Sequence, residues 1–312
     1  MSLVTPRLAL LLAVPPLLWA GNAVVGRLAV GHVPPLALNA ARWVLAFLIL
    51  LPLGWRVLGT PAGRAAVAER WPYLALLALA GVGTYNSLQY LALHTSTPLN
   101  VTLIAASAPL WMMLVGALGF RERPQPRQYA AAALSLAGVL VVLTRGDPTA
   151  LARLQFLRGD VLMLAATAAW AIYSWMLARP PESMRGERRP PWNWAELLLV
   201  QVGFGLLWGL GAAGVEHWVA PSAFQPGAWM VVALLYVAIG PSIISYWFWG
   251  RGVAEAGPQV AALFSNLTPL FAAVLQGLMI GEWPRPFHGL AFALIVAGIV
   301  VSSRAGRPAA AR

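Results

Sequence analysis

The chain has 312 residues, 60% of them hydrophobic and 10% charged, with a mean hydropathy of +0.71, whereas a soluble domain carries roughly 45–50% apolar and about 25% charged residues. Its net charge of +11 comes from arginine alone, and because the arginines sit in short loops between apolar runs they read as membrane topology, not as a nucleic-acid surface. With no cysteine and four scattered histidines, the chain offers no disulfide, no thiolate site and no metal-ligand spacing, so no cofactor is implied.

Ten apolar segments are predicted, at 8–30, 34–53, 72–92, 98–120, 127–143, 160–178, 195–213, 228–249, 258–280 and 286–302. Each is long enough, at about 20 residues, for a helix across a hydrocarbon core of roughly 30 Å. The short alternating strands of a membrane barrel are absent from the pattern. The expected class is an all-α integral membrane protein with ten transmembrane helices.

In chain order, the first segment opens like a signal peptide, with Arg7, the run Leu8–Leu18 and small residues at Ala20-Gly21. Its continuation to Val30 suits a retained span instead. It carries Trp19, Asn22 and, at its end, Arg27. The second segment holds Arg42, about 12 Å along a helix from Pro34. Three roles suit it: snorkelling, pairing with backbone carbonyls, or attracting a carboxylate. The third carries Gly81-x-Gly83, a close-packing pair, then Thr84-Tyr85-Asn86-Ser87 and Gln89-Tyr90, with Tyr85 and Gln89 on one face at i, i+4. In the fourth, Asn100, Ser107 and Trp111 share a face. An amphipathic stretch, 148–158, joins the fifth segment to the sixth. There Thr167, Trp170 and Ser174 share a face, with Tyr173 beside them. The eighth has Gly240-Pro241, the expected hinge, then Ser242, Ser245, Tyr246 and Trp249. The ninth has Ser265-Asn266 and Thr268.

Polar side chains inside a membrane usually face a cavity or another helix. Serines and threonines often only bond their own backbone or a neighbouring helix. Asparagine and glutamine are harder to hide. Trp55, Trp71, Trp192, Trp194, Trp218 and Trp229 fall near span ends and read as interfacial. The acids Glu69, Asp147, Glu182, Glu187, Glu216 and Glu255 read as loop residues, and Asp160 and Glu196 as helix starts. No carboxylate is expected mid-span, which argues against a proton relay and for facilitated transport, or for weak coupling through a group the sequence does not identify. His94 falls at an external helix end, where a lone histidine is ordinarily solvated.

With both termini cytoplasmic, fifteen loop arginines lie inside and four, Arg145, Arg153, Arg158 and Arg285, outside. The positive-inside rule selects this orientation.

Residues 98–141 return at 258–301 without gaps, with 14 identities in 44 positions. Pro109-Leu110 returns as Pro269-Leu270, Glu122-x-Pro124-x-Pro126 as Glu282-x-Pro284-x-Pro286, and Ala137-Gly138 as Ala297-Gly298. Trp19-Ala20 is echoed by Trp170-Ala171 at offset 151. Five helices per copy is odd, so the second copy enters from the opposite face: an inverted repeat, as in many transporters. The division is 1–146 and 147–312.

The order of these motifs resembles the EamA domain of the drug/metabolite transporter superfamily. The resemblance rests on Trp19-Ala20-Gly21-Asn22 with Arg27, Pro35 with Arg42, Pro109, Glu122 and Gly138, then Gly159 with Trp170-Ala171, Pro269, Glu282 and Gly298. Arg27 stands where the family commonly has lysine. The resemblance implies ten helices, a central cavity lined by segments 1, 3, 4, 6, 8 and 9, and export of small metabolites, often amino acids, aromatic ones included. The candidate substrate-binding residues are Trp19, Asn22, Tyr85, Gln89, Asn100, Trp111, Trp170, Tyr173, Tyr246, Trp249 and Asn266. No catalytic residue is expected: HExxH, GxSxG and clustered intramembrane carboxylates are missing. The expected partners are a small amphipathic metabolite and the lipid bilayer, in a bacterial inner membrane. A membrane enzyme and a passive channel are the rival readings.

Overall fold

The computed structural model describes residues 4–29, 32–219, 227–281 and 283–303, and among them it is helical, with no strand. Up to residue 146 it runs α1 (Pro6–Ala29), α2 (Pro35–Gly54), the single turn α3 (Arg56–Gly59), α4 (Pro61–Ala78), α5 (Tyr85–Thr95), α6 (Pro98–Ala106), α7 (Ala108–Phe120) and α8 (Pro126–Leu143). After that come α9 (Arg158–Ala178), α10 (Trp194–Val219), α11 (Ala228–Val237), α12 (Ser245–Ala256), α13 (Pro258–Ser265), α14 (Thr268–Ile280) and α15 (Pro286–Ser303). Among the described residues eight helical rods are long and apolar enough to cross a membrane, or nine when α6 and α7, bent by 46°, count as one span. The 24-residue α1 is a further helix. Each of the ten apolar segments falls on helical structure.

Seven of the described helices begin on a proline, a residue whose missing N–H is no loss in the first turn and whose φ is already helical. Thr60 and Thr97 cap two of them, accepting from Gly63 N and Asn100 N, each at 3.1 Å. Prolines further in do the opposite. Pro109 and Pro269 have no N–H to give and crowd the carbonyl one turn back. The helix breaks just ahead of each, at Ser107 and at Asn266–Leu267.

Wider π-type turns, Leu79–Thr84 between α4 and α5 and Ala238–Ile244 between α11 and α12, also fall at matching places. The expected hinge, Gly240-Pro241, lies in the second. The two breaks keep the offset of 160 to within a residue, and the two π turns extend it beyond the stretch in which it is readable as identity.

α8 and α15 pack antiparallel through small residues. A Cβ on Gly138 would stand 2.7 Å from the Ala291 carbonyl oxygen, and one on Gly298 would stand 2.7 Å from that of Ala131. The contact is reciprocal, since Ala131 and Gly138 are the 160-offset counterparts of Ala291 and Gly298. α10 packs on α2, α9 on α5, and α1 on α12 and α14.

Three helices outrun the apolar segments that announced them. The third segment is the middle of a 35-residue rod, Pro61–Thr95, the seventh continues to Val219, and the eighth continues to Ala256. Three acids expected in loops are therefore helical: Glu69 in α4, Glu216 in α10 and Glu255 in α12. Glu216 accepts hydrogen bonds from the backbone N–H groups of Leu36 (3.1 Å) and Ala37 (3.0 Å). α2 has no side-chain cap of its own, and the Glu216 carboxylate also suits the positive end of its dipole. Asp160 and Glu196 do lie in first turns, of α9 and α10. Five of the six expected interfacial tryptophans are exposed, while Trp192 packs against the core. Glu122 pairs with Arg179; its counterpart Glu282 lies outside the described residues, as does the Arg27 side chain.

Candidate substrate cavity

The helix breaks of α6–α7 and α13–α14 meet in the middle of the bundle and leave a cavity of about 520 Å³. That is within the range of small-molecule sites, roughly 300–1,000 Å³. Residues of α1, α5, α6, α9, α13 and α14 line it, together with residues at the two breaks. Six of the eleven residues singled out from sequence stand on its wall: Trp19, Asn22, Tyr85, Gln89, Trp170 and Asn266. Asn86, Tyr90, Thr102, Ala105, Thr167, Ser265 and Thr268 join them.

One wall is aromatic. Trp170 is buried at the hub of five rings. Trp19 meets it edge-on at 5.4 Å between centroids, Tyr85 lies at 5.0 Å, Tyr173 at 5.1 Å, Trp249 at 5.2 Å and Tyr246 at 5.5 Å. Only Trp19, Tyr85 and Trp170 reach the cavity. Tyr173, Tyr246 and Trp249 form the dry layer behind them, with every polar atom used. The Tyr173 hydroxyl donates to Gln201 Oε1 (3.1 Å), that of Tyr246 to the Gly81 carbonyl (2.6 Å), and Trp249 Nε1 to Ser174 Oγ (3.1 Å).

The floor is made of helix ends. Asn266 Nδ2 donates to the Ala106 carbonyl (3.2 Å) and to Ser135 Oγ (2.9 Å). Ser107, Ser265 and Thr268 turn their hydroxyls onto carbonyls three residues back, each at 2.6 Å. These three satisfy backbone freed by the breaks, the ordinary use of such residues in membrane helices.

A polar set adjoins the aromatic one, with Asn86 bonded to Tyr246. It is backed by Arg42, which is 1% exposed. Its Nε and Nη2 donate to Ser242 Oγ (3.0 and 2.7 Å), and Nη1 donates to Asn86 Oδ1 (3.0 Å), Tyr90 Oη (2.9 Å) and Asn22 Oδ1 (3.3 Å). The guanidinium also lies 5.0 Å from the Trp43 ring centre, a favourable cation–π distance. Every group that holds it is neutral. Among the described residues Arg42 makes no ion pair.

Asn100 and Trp111 do not reach the cavity. Asn100 Nδ2 donates to Asp160 Oδ2 (2.7 Å) and to the Gln155 carbonyl (2.8 Å), which ties the start of α6 to the start of α9. Asp160 also accepts from Ser96 and from the Leu157 amide. Trp111 is half-buried on α7 against the core. Among the described residues no side chain of α11 or α12 lines the cavity, although the eighth segment was expected there. The π turn instead directs Ser242 to Arg42, and Tyr246 lies beyond it against Gly81. Asn86 and Tyr90 were visible as part of the polar run of the third segment. Nothing in the spacing linked them to Arg42.

The model of the EamA-like transporter family matches residues 7–144 and again 157–304. The chain belongs to this family. It is therefore a multi-pass membrane transporter and not an enzyme. The EamA-like chain is 27% identical over 301 residues to an uncharacterized transporter of Archaeoglobus fulgidus, covering 94% of this chain and 96% of that one. It is 26% identical over 298 residues to the aromatic amino acid exporter YddG of Ancylobacter novellus, covering 93% and 95%. It is 26% identical over 305 residues to a probable amino-acid metabolite efflux pump of Salmonella typhimurium, covering 95% and 93%. A solved crystal structure shares its fold, with a TM-score of 0.72 at 24% identity, over 95% of this chain and 97% of that one.

Proposed function

We propose that this EamA-like transporter exports small amphipathic metabolites, amino acids with apolar or aromatic side chains foremost, by alternating access across a bacterial inner membrane. The observation that carries the reading is the mixed lining of the cavity. Its aromatic rings suit an apolar side chain, and the amides and hydroxyls beside them suit charged main-chain groups. The names of the exporters among its relatives agree with it.

In this reading the chain has ten spans in two inverted five-helix repeats, 1–146 and 147–312, with both termini cytoplasmic. Support comes from contacts between residues 160 apart. Asn86 Nδ2 donates to the Tyr246 hydroxyl (3.2 Å), and Asn266 Nδ2 to the Ala106 carbonyl. A residue meets its own counterpart only on a two-fold axis. The reciprocal glycine contact of α8 and α15 has the same symmetry, and an axis across antiparallel helices lies in the membrane plane. The cavity extends from the breaks towards Leu93 and Val101, at the Thr95–Pro98 end of the bundle. With the termini inside, that end faces out, and the Trp170 layer closes the cytoplasmic side.

Counterflow in proteoliposomes tests the substrate class. Vesicles loaded with unlabelled phenylalanine, leucine or tryptophan are expected to accumulate the labelled form transiently and saturably. Flux that rises linearly with concentration, without counterflow, would identify a channel. No exchange of any amino acid would remove the substrate class.

A further inference from the structure

Arg42 leaves a positive charge beside the cavity that no side chain among the described residues balances. Its effect reaches the cavity through the three lining side chains that it holds, Asn22, Asn86 and Tyr90, and of these Asn22 keeps the most donor capacity. The Asn22 amide oxygen accepts from both Arg42 Nη1 (3.3 Å) and the Tyr90 hydroxyl (2.9 Å). Two donors on one oxygen fix which way the amide is turned. Nδ2 then points away from Arg42, and it has no hydrogen-bond partner among the described residues. Asn22 is 4% exposed and lines the cavity, so its unspent donor is aimed into that space.

The neighbouring groups have less to offer, since Asn86 Nδ2 has spent one of its two N–H groups and Tyr90 its only O–H. Asn86 accepts from Arg42 and donates to Tyr246. The Tyr90 hydroxyl gives its proton to Asn22. An amide whose oxygen is held by a guanidinium is polarised, which makes its N–H groups stronger donors. A buried cation held only by neutral dipoles is also short of an anion.

We infer that Asn22 Nδ2 is a carboxylate-recognising donor, charged from behind by Arg42, and that this wall selects substrates with an anionic group. Arg42 acts as a positioning residue and reaches the ligand through the amide. The inference rests on the reading of this cavity as the substrate site. It adds which end of the substrate meets which wall, and it excludes amines that lack the carboxylate.

The test uses 3-phenylpropionate and 3-phenylpropionamide, which have nearly the same shape and differ in charge. Binding to the purified full-length protein is followed by calorimetry. The wild type is expected to favour the acid by about tenfold or more, as for a charge-assisted hydrogen bond from a buried side chain. Asn22→Asp keeps the oxygen that Arg42 and Tyr90 hold but replaces the donor with a negative oxygen. It is expected to insert with an unchanged or higher melting midpoint and to lose or reverse the preference. Equal wild-type affinity for acid and amide, or binding of neither, overturns the inference whether or not the variant folds. An Asn22→Asp protein that keeps the wild-type preference also overturns it. Acid preference without amino-acid counterflow would leave this subsite standing and remove the proposed substrate class. Counterflow with no acid preference would do the reverse.

Discussion

Trp170→Ala removes the ring on which five others rest. Neighbouring centroids lie 5.0–5.5 Å away, and each such pair contributes roughly 0.5–1.5 kcal/mol beyond buried area. These contacts share atoms, so they do not add. Truncating a buried tryptophan in a soluble core costs about 3–5 kcal/mol. Within a bilayer the unfolded reference is itself apolar, so lost packing contributes more of the cost than lost burial. A loss of about 3 kcal/mol is therefore expected. The apparent melting midpoint of detergent-purified protein should fall clearly, and the half-saturation concentration for aromatic amino acids should rise several-fold. Trp170→Phe, which keeps a ring in the hub, should recover part of both. Trp111→Ala serves as a control, because Trp111 is only half-buried and lies off the cavity; it should cost less. A Trp170→Ala protein that melts and transports like the wild type would refute the hub.

Glu216→Gln should destabilise by about 1 kcal/mol, because a neutral acceptor replaces the carboxylate that caps α2, and thermal melting reads the loss. Gly138→Ala and Gly298→Ala each place a methyl 2.7 Å from a facing carbonyl oxygen. Both should cost about 1–3 kcal/mol, and one silent substitution would contradict the reciprocal packing. A reporter fused to the C-terminus should be active only if it is of the cytoplasmic type. Periplasmic activity would contradict the ten-span topology.

The helices were legible because apolar runs of membrane-spanning length leave few alternatives. Hydropathy says where a helix enters lipid and not where it stops. Pro61–Arg70 of α4 and the end of α10 are helix beyond the apolar runs, so Glu69 and Glu216 were misplaced. The matching breaks were legible through Pro109 and Pro269, each of which removes a backbone donor at the same place in the offset.

The cavity was legible in part, because periodicity names a shared face but not the helix that covers it. Trp170 and Tyr173 are three residues apart, yet Trp170 reaches the cavity and Tyr173 packs behind it. The π turns at 79–84 and 238–244 add a further obstacle. A wider turn rotates everything that follows, so the helix period does not carry through Ala238–Ile244 to Tyr246 and Trp249. Arg42, Asn22, Asn86 and Tyr90 come from three helices, and no spacing along the chain joins them.

Cysteine accessibility tests most directly whether this cavity is the transport path. The chain has no cysteine, so Ala105→Cys puts one thiol on the cavity wall with no background. In right-side-out vesicles a membrane-impermeant maleimide should label it from outside, and a transported amino acid should protect it at concentrations matching half-saturation of counterflow. Labelling that stays constant while the same amino acid is being exchanged would place the substrate elsewhere.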